Sequence, residues 1–169
     1  MIETARMNLL PCDEETLRAV IAGREALAAH LSVSVPEGWP AFPEAYAHAL
    51  DILAADPASA GWWTHLFIER ETRALVGSGG YAGRPKDGVV EIGYEIAPAF
   101  QGRGLAVEVA RGLVEHAFGD PEVSAVIGHT RPESNASTRV LEKVGFVRVD
   151  DVEDNEEGTL WRWRVTRAP

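Results

Sequence analysis

The chain has 169 residues, enough for one ordinary domain with a proper core. Hydrophobic residues make up 46% and charged residues 25%, a soluble globular balance, and no apolar run approaches the roughly 20 residues of a membrane-spanning helix. A net charge of −10 argues against nucleic acid, whose phosphates need a basic face, and is compatible with drawing in cationic amines.

Residues 1–6 lack the charged and apolar regions of a signal peptide. Cys12 is the lone cysteine, so no internal disulfide is possible and a reducing, cytoplasmic location is expected. Residues 6–11 read as a first strand. Asp13 then caps a helix predicted over 14–30, with Leu17, Val20, Ile21, Ala28 and Leu31 as its apolar stripe. Residues 32–43 hold three prolines, a glycine and Trp39, and read as irregular. A second helix over 44–55 turns Leu50 and Leu53 inward. Strands follow at 63–69 and 74–83, around a turn at 70–73.

Residues 89–97 form the next strand. Its alternation puts Val90, Ile92, Tyr94 and Ile96 on one face and Glu91, Gly93 and Glu95 on the other. The strand breaks at Pro98 and opens through Gly102 and Gly104 into a helix expected over 102–118. Ala106, Val109, Ala110, Leu113 and Ala117 give that helix a core stripe. A strand at 123–130 and a helix at 136–144, stopped by Gly145, come next. Then follow a strand at 146–152, an acidic turn at 150–158 and a last strand at 159–165. Strands mixed with helices in this order imply a mixed α/β sheet covered by helices, in one domain spanning 1–169.

A helix start offers unpaired backbone N–H groups and the positive end of the helix dipole. Gly102 and Gly104 remove the Cβ atoms that would hold an anion away, so this turn is shaped for phosphate or pyrophosphate. A glycine pair alone also fits a plain strand-to-helix turn. A dinucleotide-binding reading lacks an acidic residue at the end of a following strand to hold a ribose. Five histidines without ligand spacing predict no metal site, and no Ser-His-Asp arrangement emerges.

The order Gln101-x-x-Gly104-x-Ala106, after a strand carrying Glu91-Ile92-Gly93-Tyr94, resembles the acyl-CoA-binding signature of the GNAT superfamily of N-acetyltransferases. About thirty residues on, the stretch from Pro132 to Phe146 resembles the second hallmark of its ribosomal-protein N-terminal acetyltransferase branch. The likeness covers residues 64–165, and the first sixty residues, which match loosely, are expected to choose the acceptor.

The resemblance implies a mixed, mostly antiparallel sheet of about six or seven strands with about four helices, the fourth and fifth strands splayed to hold CoA. It implies acetyl-CoA as co-substrate, without metal, and direct transfer to a primary amine of a protein N-terminus or a small molecule. A non-catalytic CoA-binding sensor or interaction module is the alternative. A homodimer is compatible with the family but has no readable interface. By resemblance, the backbone of Ile96 and Ala97 holds the pantetheine arm like an added strand. Gln101, Gly102, Arg103, Gly104, Leu105 and Ala106 hold the pyrophosphate through amides, with Arg103 adding charge. Glu91 stands where many members carry the base that deprotonates the amine, though it would equally pair with an arginine at the sheet edge. Ser134 falls at the family's Asn position, with Asn135 one place late, and Leu141 replaces the usual Tyr acid. Asn135 is then expected to reach the cofactor and Ser137 to hydrogen-bond the sulfur or the arm, and both also suit helix capping. His129 ends a strand near the acyl position, where a satisfied buried histidine is the commoner case. Trp39, Trp62 and Trp63 are candidate walls of an acceptor pocket, while Trp161 and Trp163 alternate as sheet packing.

Overall fold

The computed structural model describes residues 1–168. Eight strands form one sheet in the order β1-β2-β3-β4-β5-β6-β8-β7. They are β1 (Ile2–Glu3), β2 (Met7–Pro11), β3 (Thr64–Glu69), β4 (Ala74–Tyr81), β5 (Val89–Ile96), β6 (Ala125–Thr130), β7 (Val147–Asp154) and β8 (Gly158–Thr166). Every neighbouring pair is antiparallel except β5 and β6. Five α-helices cover the sheet: α1 (Glu14–Ala22), α2 (Arg24–Leu31), α3 (Glu44–Ala55), α4 (Leu105–Phe118) and α5 (Ala136–Val144). The mixed α/β class holds, with one more strand and one more helix than expected.

The differences have local causes. The helix expected over 14–30 is two, because Gly23 adopts φ 128°, which no helix tolerates. Asp13 caps α1 as expected, accepting from the Thr16 N–H at 2.8 Å. The break resets the apolar phase, so Leu17, Val20 and Leu27 are buried while Ile21 is 49% exposed. Helix α4 begins at Leu105 rather than Gly102, since Gly102 and Gly104 are both left-handed, at φ 81° and 76°. The acidic segment expected as a turn is mostly strand: β7 runs to Asp154, which pairs with Gly158 across a tight hairpin. Charge along an exposed edge strand is how sheets discourage further pairing.

Two cores lie on opposite faces of the sheet. Helices α1 to α3 cover Leu66, Ile68, Leu75 and Trp39, and helices α4 and α5 cover Phe67, Val76, Val90, Ile92, Val126 and Trp163. Cys12 is buried in the first of these, and burial pushes its thiol well above the ordinary range, which suits packing and not chemistry. At the sheet centre β5 pairs with β6 only through Val89–Ala125, Val90–Val126 and Glu91–Ile127. From Ile92 onward β5 has no partner on that edge, so the two parallel strands splay into a wedge below the start of α4. On the other edge β4 approaches closely. A Cβ on Gly79 would overlap the Gly93 carbonyl oxygen and lie 2.6 Å from the Tyr94 Cα.

Candidate active site

Strand β5 sorts its groups by parity. The Ala97 N–H donates to the Val76 carbonyl (2.8 Å) and the Glu91 carbonyl accepts from the Ala82 N–H (3.0 Å), so odd positions bond toward β4. The backbone groups of Tyr94 and Ile96 therefore point into the wedge. Ala97 is engaged on both sides, its carbonyl accepting from the Phe100 N–H at 2.9 Å. The Ile96 carbonyl accepts from the Gln101 side chain at 3.0 Å. The edge free to receive an added strand is thus centred on Tyr94 and the Ile96 N–H, and of the two residues expected there it includes Ile96 but not Ala97.

Two cavities flank this strand. One, about 660 Å³, runs between the α4 start and α5 and is walled by Ile96, Gln101, Gly102, Gly104, Leu105, Ala106, Asn135 and Ser137. The other, about 340 Å³, lies on the α3 side and is walled by Phe42, Tyr46, Ser78, Gly93 and Glu91. They share Tyr94 and Glu95. Of the candidate catalytic and cofactor-binding residues, all but Ala97 and Arg103 line one cavity or the other.

Arg103 does something other than expected, Asn135 takes the capping role open to it, and Glu91 finds a partner of another kind. Arg103 turns from the cavity to Glu69, its guanidinium 2.6 Å from a carboxylate that is 5% exposed. Arg6 in turn donates to the Arg103 carbonyl at 3.1 Å and to Glu108 at 2.7 Å, so two arginines brace the glycine turn from beneath. Asn135 is the α5 cap: its side chain accepts from the Thr138 N–H and its own N–H donates to the Thr138 hydroxyl, both at 3.0 Å. Glu91 pairs with no arginine but with His129, Nδ1 to Oε1 at 2.6 Å.

Other site residues were not singled out in the sequence. Arg139 and Lys143 stand one turn apart on α5, on the wall of the larger cavity, and neither meets a carboxylate among the described residues. Their four-residue spacing was the available signal. Glu95 lies on the Glu91 face and borders both cavities. It accepts from the Ala41 N–H (3.2 Å) and the Ser78 hydroxyl (3.3 Å), and burial holds its carboxyl above the usual range against those two bonds. Ser78 also accepts from Trp39 Nε1 at 2.9 Å and meets the Tyr46 hydroxyl at 2.7 Å, which anchors the irregular 32–43 segment to the site. Trp39 is accordingly a buried brace. Trp163 packs at 4% exposure and donates to Thr130 at 2.9 Å.

The arrangement suits a long phosphate-bearing ligand on one side of β5 and a cationic one on the other. Unpaired amides at the α4 start and two free cations face the first, and two carboxylates face the second. Among the described residues no three His, Cys, Asp or Glu side chains converge as a metal site, and no helix is long and apolar enough to cross a membrane.

Known proteins agree with this geometry. The acetyltransferase (GNAT) domain matches residues 6–147. The chain is 26% identical over 150 residues to the uncharacterized N-acetyltransferase YjdG of Bacillus subtilis, covering 87% of this chain and 89% of that one. It is 31% identical over 147 residues to the aminoglycoside N(6')-acetyltransferase type 1 of Klebsiella pneumoniae, covering 86% of this chain and 60% of the longer relative. Its fold is that of RimL, a ribosomal alpha-N-protein acetyltransferase solved with coenzyme A, at a TM-score of 0.67 and 17% identity over 96% of this chain and 95% of that one. With a splayed β5–β6 pair, a glycine-opened α4 and a domain match over most of its length, the chain belongs to the GNAT family of acetyl-CoA-dependent N-acetyltransferases.

Proposed function

We propose that the protein transfers the acetyl group of acetyl-CoA directly to a primary amine of a small, positively charged acceptor. The observation that carries this reading is the pair of cavities meeting at Tyr94 and Glu95. The smaller one presents Glu91 and Glu95 and no lysine or arginine, which favours an ammonium group over a neutral or acidic ligand. The aminoglycoside-modifying relative supports such an acceptor. A peptide N-terminus is the second reading, favoured by the likeness of the 132–146 segment to the ribosomal-protein branch. The cytoplasm, where acetyl-CoA is at hand, is the compartment this reading implies.

Acetyl-CoA supplies an activated acetyl thioester. The chain supplies the rest. Backbone groups of Tyr94 and Ile96 hold the arm along the open edge of β5, and the amides of the 101–106 turn hold the pyrophosphate. Arg139 and Lys143 offer charge to the phosphates. Glu91, steadied by His129, takes the proton that the ammonium must lose before it attacks. Ser137 contributes a hydrogen bond to the arm or sulfur. Most of the acceleration comes from holding amine and thioester together.

A screen of amine classes, read by release of free thiol, tests this reading. Small polycationic amines should outpace peptides and neutral amines. Thiol release from none of them, with CoA still bound, would leave the non-catalytic module standing. Glu91→Gln should lower turnover by about 10²-fold, most at low pH where the amine is charged. An unchanged pH profile would remove Glu91 from the role.

A further inference from the structure

Every Phe, Trp and Tyr of the chain packs in or against one of the two cores except Phe42, which is 66% exposed. A single apolar residue at the surface needs no explanation in itself. Its placement does. Met1, Ile21, Val147 and Val149, the other large apolar side chains at the surface, line neither cavity beside β5, whereas Phe42 walls the smaller one, on the acceptor side.

The segment that carries Phe42 is held from both ends. Before it, Trp39 Nε1 donates to the Ser78 hydroxyl at 2.9 Å and the Ala41 N–H donates to Glu95 at 3.2 Å. After it, the Phe42 carbonyl accepts from the Ala45 N–H at 3.1 Å, and the Tyr46 hydroxyl meets Ser78 at 2.7 Å. Pro40 and Pro43 restrict the backbone on either side. Ser78 and Glu95 themselves wall the cavity, so the bonds that place the ring at its mouth start from the cavity itself.

Charge says what the ring meets. The cavity presents Glu91 and Glu95 and no lysine or arginine, so it concentrates cations. The face of an aromatic ring attracts a cation and not a neutral amine. The nitrogen that attacks the thioester must already have lost its proton. It reacts where the two cavities meet, by Tyr94 and Glu95, whereas Phe42 stands at the exposed mouth. The ring therefore suits a charge that the acceptor keeps.

We infer that Phe42 is a specificity-determining residue whose ring holds a second, non-reacting cation of the acceptor, so that the substrates are amines carrying at least two positive charges. The inference rests on the acetyl-transfer reading above and narrows its acceptor class. The second charge is an ammonium or guanidinium on a stem long enough to reach from the thioester to the cavity mouth.

Diaminooctane and octylamine test this, because they share a stem and differ in the second ammonium. The parent should prefer diaminooctane in kcat/KM. Phe42→Leu keeps apolar bulk and removes the ring, and should cut that preference roughly twofold to fivefold, the loss falling on KM. Phe42→Trp, with the stronger π face, should keep or raise it. Contact with the shared stem cancels in the ratio, and Glu91 and Glu95 are the same in every protein compared. The same ratio is read without turnover by calorimetric titration of each amine into the enzyme–CoA complex. A preference unchanged in Phe42→Leu overturns the inference, as does a parent that binds the two amines equally or binds neither. If no amine is acetylated, the acetyl-transfer reading fails and the calorimetric ratio still decides for or against Phe42.

Discussion

Replacing Arg103 with alanine should weaken the fold before it weakens ligand binding. The Glu69 side chain is 6% exposed, and its carboxylate accepts from Arg103 at 2.6 Å and from Thr72 at 2.8 Å. A lost hydrogen bond to a charged group costs about 1.5–3 kcal/mol, and stranding a fully buried charge about 3–5. Arg103 is itself 42% exposed, so its removal admits water to Glu69 and the lower range applies, about 2 kcal/mol. For a chain of this size that is a fall of about 4–8 °C in melting temperature. The sign of the pH dependence follows from the carboxyl. Arg103 foremost, and then Thr72, hold the Glu69 pKa below its usual value in the folded protein. A depressed carboxyl stabilises the fold above its unfolded pKa and loses that contribution as pH falls through the folded one. The deficit of Arg103→Ala should therefore be full at neutral pH and shrink in acid. Adding Glu69→Gln should return part of the loss, because no charge is then stranded. Thermal unfolding and CoA titration of the single and double variants read both effects. An unchanged melting temperature with a large loss of CoA affinity in Arg103→Ala would refute the reasoning and return the guanidinium to the phosphates.

Three further outcomes are expected. Gly79→Ala should cost at least about 3 kcal/mol in urea unfolding, because its Cβ meets rigid β5 backbone and not a side chain that can swing away. Arg139→Ala with Lys143→Ala should weaken CoA binding and flatten its salt dependence while leaving the melting temperature within about 2 °C, since neither cation is paired in the fold. His65 is 1% exposed, and burial lowers its pKa to about 4, so between roughly pH 6.5 and 4 the unfolded chain binds a proton that the folded chain refuses. Stability should fall as pH drops through that window, at up to about 1.4 kcal/mol per unit, and His65→Gln should level the slope.

The sequence showed most of the framework, because local rules govern most of it. The Asp13 cap, the Gly145 stop and the alternation along 89–97 are each decided within a few residues, and each appears where expected. The helix break at Gly23 was missed because an isolated glycine in a helical pattern is usually tolerated, whereas here Gly23 takes a left-handed φ that ends α1 and starts α2. The 150–158 segment misled because its acidic composition resembles a turn, whereas an edge strand carries charge without burying it. Side-chain direction was the hardest to read. Arg103 looked like a phosphate ligand from its place in the glycine turn, and only the fold brings Glu69, 34 residues earlier, beside it. The same holds for His129 and Glu91, 38 residues apart and joined diagonally from the last paired rung of β5 and β6, where Glu91 sits opposite Ile127.

That rung explains why so much chemistry can hang on eight residues of β5. Side chains and backbone groups of a strand both alternate with period two, along perpendicular directions. Odd positions give Glu91 and Glu95 to the acceptor side and bond β4 with their backbone. Even positions give Tyr94 and Ile96 to the CoA side and leave their backbone free at the wedge. A slip of one residue would put the phenol among the carboxylates and turn the free amides onto β4, so partial function has no route through misregister. Register here cannot be set by β6, which pairs with only three residues of β5. It is set by β4, through five rungs and the close approach at Gly77 and Gly79 that no larger residue permits. Glycines in a buried central strand weaken it locally, and this fold accepts that weakness to hold an open edge in register beside a wedge where pairing on the other side must stop.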